Sequence, residues 1–111
     1  MPRHLCLTRH SPGVVTRIEC MLHPLAGGQG LWMLFCAAGL SAAQPSAIKA
    51  QGPFHGAAEA EAVLDEIVEN LESQGYRAVA EPAIWCLHLR AELRRQNAGR
   101  GHPSGGFRLV P

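Results

Sequence analysis

The segment 57–74 constrains the fold most strongly, because its apolar residues recur with the period of an amphipathic α-helix. Consecutive apolar positions are separated by 3, 1, 3, 1 and 3 residues, as expected for one buried helical face. Glu59 and Glu61 lie in the first turn, where the helix dipole favours negative charge. Gly75 predicts the end of the helix, since glycine readily adopts the left-handed conformation. The apolar positions are Ala60, Val63, Leu64, Ile67, Val68 and Leu71.

The segments that flank this helix predict a small antiparallel sheet on which it can pack. Residues 48–51 alternate weakly between apolar and polar side chains and end at Gly52-Pro53, which indicates a strand followed by a turn. Residues 76–80 indicate a second strand, which Pro82 interrupts.

The segment 84–90 has two interpretations. As a strand, it places Trp85, Leu87 and Leu89 on one face. A helix that starts after Pro82 would instead group Trp85 with Leu89 and Leu93. The preceding strand and the short proline turn favour a β-hairpin, so we predict a strand over 84–90, with room for a helical turn after it.

The resulting prediction is an α+β fold in which one amphipathic helix packs on a small antiparallel β-α-β-β sheet. This module spans residues 46–98, and residues 99–111, rich in glycine and proline, are expected to form a flexible tail. A core this small usually requires disulfides, a metal or another chain. We therefore expect a second polypeptide, either a partner protein or a second copy in a homodimer.

Residues 1–45 are expected to form a poorly ordered or helical N-terminal extension. Its apolar segment 31–43 contains no charge and is shorter than the ~20 residues that span a bilayer. It could be a packing or partner-binding helix, a signal-like segment cleaved before Gln44, or part of an unstructured leader. Because no cation directly precedes it, we expect a cytoplasmic protein; the alternative is export with cleavage near Ala43.

Composition argues against most catalytic and nucleic-acid functions. The formal net charge is +1, so no global charge recruits nucleic acid or an anionic membrane. The four cysteines form no CxxC pair and none lies at ligand spacing from a histidine, which predicts no metal site. A nucleophilic pair of Cys86 and His88 would need their side chains to touch, and two residues at this spacing on a strand do not. We expect no enzyme activity, no metal and no cofactor.

Charge is nevertheless separated along the chain, with acidic residues concentrated in the helix and basic residues after it. Such separation favours docking of an oppositely charged partner. Large apolar side chains dominate interface hot spots, so we predict a protein-binding surface with apolar anchors and a charged rim. The anchors are Phe54, Trp85, Leu87 and Leu89, and the rim residues are Glu61, Asp65 and Arg90.

Residues 49–79 resemble half of a SPOR-type repeat. The likeness rests on Gly52-Pro53-Phe54, on the Glu-Ala-Glu-Ala run at residues 59–62, and on Gly75-Tyr76. SPOR domains bind septal glycan strands stripped of peptide and contain two such halves. This resemblance implies an exported peptidoglycan-binding fragment as the alternative function.

The size of the chain, its apolar hairpin and its long acidic helix also look like the QslA-type quorum-sensing antiactivators. These are compact α/β proteins that bind a LuxR-type transcription factor and block its dimerisation. The resemblance implies a non-enzymatic regulatory protein that sequesters its partner in the cytoplasm, without a cofactor and as a homodimer.

Overall fold

The computed structural model describes residues 3–80 and 83–98. It contains five strands and two helices in this part of the chain. The strands are β1 (Arg3–Ser11), β2 (Val14–Pro24), β3 (Leu31–Leu40), β4 (Ala47–His55) and β5 (Arg77–Ala78), and the helices are α1 (Ala57–Ser73) and α2 (Cys86–Asn97).

The strands form one antiparallel sheet in the order β4-β3-β2-β1-β5. Strands β1 to β4 pair with their neighbours in sequence, while β5 returns to the far edge, where Leu7 pairs with Ala78. The predicted α+β class is confirmed. The sheet is larger than the predicted β-α-β-β arrangement, because the N-terminal strands form its centre.

A helix covers each face of this sheet. Side chains of a strand alternate between the two faces. Cys20, Leu22 and Leu34 therefore pack with residues of α1, whereas Met21 and Phe35, among others, pack with residues of α2. The chain thus builds two apolar layers, one on each side of a shared sheet.

The prediction of a poorly ordered or helical segment before residue 46 is wrong for the described residues 3–40, which form β1, β2 and β3. The apolar run that suggested a helix or a signal is β3. Strands buried on both faces are apolar at nearly every position and lose the alternation that identifies a strand. Among the described residues, no helix is long and apolar enough to cross a membrane.

The prediction of a strand over 84–90 is also wrong, because α2 begins at Cys86. Trp85, Leu89 and Leu93 are spaced four residues apart and are all buried, as the helical interpretation requires. Leu87, which a strand would place beside them, is 78% exposed.

The prediction for α1 is confirmed to within one residue at its C-terminal end. Gly75 adopts a positive φ of 97°, and the Tyr76 backbone N–H donates to the Leu71 carbonyl at 3.1 Å. This is the bonding expected of a glycine stop.

The predicted flanking strands are found with changed lengths. The strand at 48–51 extends through Gly52-Pro53 as part of β4, at an irregularity in the pairing with β3. Gly52 has a positive φ of 125°, and a Cβ atom there would lie 3.0 Å from the Trp32 carbonyl oxygen, so this bend favours glycine. The strand predicted at 76–80 is reduced to the two residues of β5. The predicted tail, 99–111, lies outside the described residues.

Candidate interaction surface

Glu19 on β2 anchors the start of α2 to the sheet. Its side chain is fully buried, and its carboxylate accepts hydrogen bonds from the backbone N–H groups of Ile84 at 2.9 Å and Trp85 at 3.2 Å. The Arg17 Nε donates to the same carboxylate at 2.7 Å, and the His4 Nε2 lies 3.2 Å from it. These bonds tie the two residues that precede α2 to the sheet, so Glu19 positions the segment from which the helix begins.

Opposing effects set the pKa of the Glu19 carboxyl. Burial raises this pKa, but hydrogen bonds from Arg17, Ile84, His4 and Trp85 lower it further than burial raises it. The pKa therefore lies below its ordinary value, and Glu19 is ionised at neutral pH. Its carboxylate is fully engaged in holding α2 and belongs to the framework of the site.

Helix α2, held to the sheet at its start by Glu19, has a buried side and an exposed side. On the buried side, the Trp85 indole lies in the core and its Nε1–H donates to the Ala43 carbonyl at 2.9 Å. The exposed side carries large apolar groups at its start and guanidinium groups further along. This α2 outer face consists of Ile84, which lies just before the helix, and of Leu87, Arg90 and Arg94 on it.

An apolar cleft lies at one end of the sheet, where β1 and β3 end and β2 begins. Its volume is about 500 Å³, within the range of ligand pockets. Leu40, 53% exposed, and Val14, 42% exposed, are among its walls. One of its lining residues, Ala42, directly precedes Ala43, whose carbonyl accepts the Trp85 hydrogen bond. Its lining residues are Thr8, His10, Gly13, Val14, Val15, Leu40, Ser41 and Ala42.

A family model, described as PA4575-like protein, matches residues 1–111. The chain belongs to the PA4575-like protein family. No curated protein and no solved structure matches it.

In this member of the PA4575-like family, the predicted binding residues are divided between three places. Leu87 and Arg90 lie together on the α2 outer face. Trp85 and Leu89 lie inside the core on the α2 side of the sheet. The remaining residues lie on the α1 side of the sheet: Phe54 is half-buried against α1, and Glu61 and Asp65 lie on α1, with oxygens 3.9 and 4.0 Å from the Arg3 guanidinium.

The candidate catalytic residues, Cys86 and His88, do not form a nucleophile–base pair. Cys86 and His88 are two positions apart on α2, and residues at that spacing do not face each other. The Cys86 sulfur instead lies 3.2 Å from the Arg90 Nε. Within the described residues, no group of three metal-ligating side chains is found.

Sequence reasoning missed Ile84, Val14 and Leu40 as exposed apolar residues. Ile84 could have been found from the helical interpretation, because it lies three residues before Leu87 and so on the same side of a helix. Val14 and Leu40 had no comparable signal. They come together only through the pairing of β2 with β3, in which Leu40 lies opposite Thr16.

Proposed function

We propose that this PA4575-like protein is a non-enzymatic module that binds and sequesters another protein through the α2 outer face. The exposure of Leu87 carries this proposal. It is 78% exposed, while Leu89 and Leu93 of the same helix are buried. Together with Ile84, which is 52% exposed, it offers an apolar anchor, and central apolar contacts dominate the energy of protein interfaces.

Charge on this face indicates the chemistry of the partner. Arg90 and Arg94 follow Leu87 along the exposed side of α2, so they would form a basic rim beside the apolar anchor. A partner with an apolar side chain flanked by carboxylates would complement this arrangement. Rim charges act mainly on orientation and association rate, so the guanidinium groups would contribute more to selectivity than to affinity.

The opposite side of the molecule carries the reverse charge. Helix α1 contains acidic residues but no lysine or arginine, and it covers the other face of the sheet. An acidic partner is therefore repelled from α1 and attracted to α2. Unlike charges on opposite faces support a module that binds its partner in one orientation.

In its finer form, the proposal is that the partner is a LuxR-type transcription factor whose dimerisation is blocked. This form rests on the resemblance to the QslA-type antiactivators, as do the expected homodimer and the cytoplasmic location. If the finer proposal holds, adding the protein should convert the dimeric transcription factor into a complex that contains a single subunit of the factor. Light scattering measures this change.

The test uses a matched pair of full-length variants, Leu87→Asp on the α2 outer face and Glu66→Lys on the exposed side of α1. Because Leu87 contributes little to the core, we expect Leu87→Asp to remain folded by circular dichroism. We expect its binding to partner recovered by affinity capture to fall at least about tenfold, as for a central apolar anchor. Glu66→Lys should bind as the unaltered protein does. Undiminished binding by Leu87→Asp would refute the proposed surface.

The alternative function, glycan binding by an exported SPOR-like fragment, is favoured by one observation. Residues 49–79 contain a strand, a helix and a short strand, in the element order that the SPOR resemblance implies, with Gly52-Pro53-Phe54 inside β4. In this chain, however, β1, β2 and β3 fill the sheet between β4 and β5. Cleavage after Ala43 would remove all three.

A further inference from the structure

Two thiols meet at the centre of the sheet, under α1. Cys20 on β2 lies directly opposite Cys36 on β3, and their sulfur atoms are 3.3 Å apart. A disulfide bond is about 2.05 Å long, so the two sulfurs would have to approach by only about 1.3 Å. Directly opposed residues of antiparallel strands also have Cα separations, about 4.5–5.5 Å, that a disulfide accepts.

The other two cysteines are placed differently. Cys6 is the register partner of Glu19 and so lies on the opposite face of the sheet from Cys20. Cys86 lies on α2, also across the sheet. Neither lies on the face of the sheet where Cys20 and Cys36 meet, so the register favours one pairing of the four cysteines.

The two thiols of the pair have unequal surroundings. Cys20 is fully buried, whereas Cys36 is partly exposed. The pKa of Cys20 is raised by the hydrogen bond it shares with Cys36 and by burial, and the same hydrogen bond lowers the pKa of Cys36. Lys49, the register partner of Cys36 on the edge strand β4, also places its positive charge on this face. Cys36 is thus the thiol that an oxidant reaches first.

We propose that Cys20 and Cys36 form a reversible oxidation site that a hydroperoxide converts to an intramolecular disulfide. The Cys36 thiolate attacks one peroxide oxygen, so that an S–O bond forms, the O–O bond breaks and the departing alkoxide or hydroxide takes a proton from solvent. The Cys20 sulfur then attacks the sulfenic acid, the S–S bond forms, and hydroxide leaves with the Cys20 proton as water. Two electrons pass from the thiols to the peroxide, and a dithiol reductant returns them. This proposal does not depend on the proposed function.

Tryptic peptides distinguish this pairing directly, because Cys20 and Cys36 share the peptide 18–49 while Cys6 and Cys86 lie in the separate peptides 4–9 and 78–90. The full-length protein is treated with hydrogen peroxide and its free thiols are alkylated after unfolding. The protein is then digested with trypsin, and the masses of the peptides are measured by mass spectrometry. We expect peptide 18–49 to lack both alkyl groups and to be lighter by two hydrogen atoms than its reduced form. Dithiothreitol should restore both alkylation sites, and near-UV circular dichroism should show that the oxidised protein remains folded.

Two variants test the proposed order of oxidation, in which Cys36 reacts first and Cys20 then forms the disulfide. The Cys6→Ser/Cys86→Ser double variant is expected to form the same bond. In Cys20→Ala the resolving thiol is absent, so Cys36 should accumulate as a sulfenic acid that a dimedone probe captures. The proposal is overturned if peptide 18–49 keeps two alkylatable thiols at a peroxide dose that oxidises Cys86, or if the bond joins Cys20 or Cys36 to another cysteine or another molecule.

Discussion

Glu19 shows how one buried charge can determine the position of a helix distant in sequence. Its carboxylate accepts from Ile84, 65 residues away, and from Arg17, two residues away on the same strand. The sequence places Arg17 and Glu19 on one face of a strand, since they are two positions apart. It contains no signal that links them to the start of α2. Such a contact arises only when the strands and the helix are assembled.

We predict that Glu19→Gln lowers the free energy of unfolding by about 3 kcal/mol near pH 7, because breaking a buried charge pair is strongly destabilising. The pKa of Glu19 is lowered in the folded state, so its stabilisation is present above its ordinary pKa of 4.5 and is lost as the pH falls through the folded value. Urea unfolding at about pH 7 and about pH 3 should therefore show the difference between the two proteins shrinking with acid.

The control for this prediction is Glu66→Gln, on the exposed side of α1. It should change stability by less than about 0.5 kcal/mol. An equal loss in both variants, or a loss in Glu19→Gln that is independent of pH, would contradict the assigned role of the carboxylate.

At the scale of elements, the segments differ in how clearly their sequences predict them. Helix α1 was predictable because one side is exposed, which leaves a helical period in its apolar residues. Strand β3 was not, because Leu34 and Phe35 are both fully buried, one under each helix. Helix α2 was misassigned because tryptophan and isoleucine at its start are enriched in strands. Its helical alternative had the correct set of buried residues, Trp85, Leu89 and Leu93.

Trp85 and Leu87 are two positions apart, but their substitution should have very different effects on the free energy of unfolding. Trp85 is 2% exposed, and deletion of a buried aromatic side chain costs about 3–5 kcal/mol. We therefore predict that Trp85→Ala loses about that much stability, while Leu87→Ala stays within about 0.5 kcal/mol of the unaltered protein. Thermal unfolding of both variants measures the difference. Similar losses would support the strand interpretation, in which the two side chains share one face.

At the scale of the whole molecule, the N-terminal strands complete the core that residues 46–111 cannot form by themselves. The small core predicted for that segment suggested that a second polypeptide would complete it. In the structure, β1, β2 and β3 fill that place and give both helices a surface to pack on. Completion of the core is therefore no longer the reason to expect a partner. The expectation of a partner rests instead on exposed groups, above all Leu87.

Removal of residues 1–43 should therefore abolish folding. The fragment 44–111 keeps both helices but loses Leu22, Leu34 and Phe35, which pack against them, and it loses the Glu19 carboxylate that holds the start of α2. We predict no cooperative thermal transition for this fragment, and recovery of one when a peptide of residues 1–43 is added. A fragment that unfolds cooperatively by itself would show that the C-terminal part forms its own core. That result would also make cleavage before Gln44 compatible with a folded product, which the exported alternative requires.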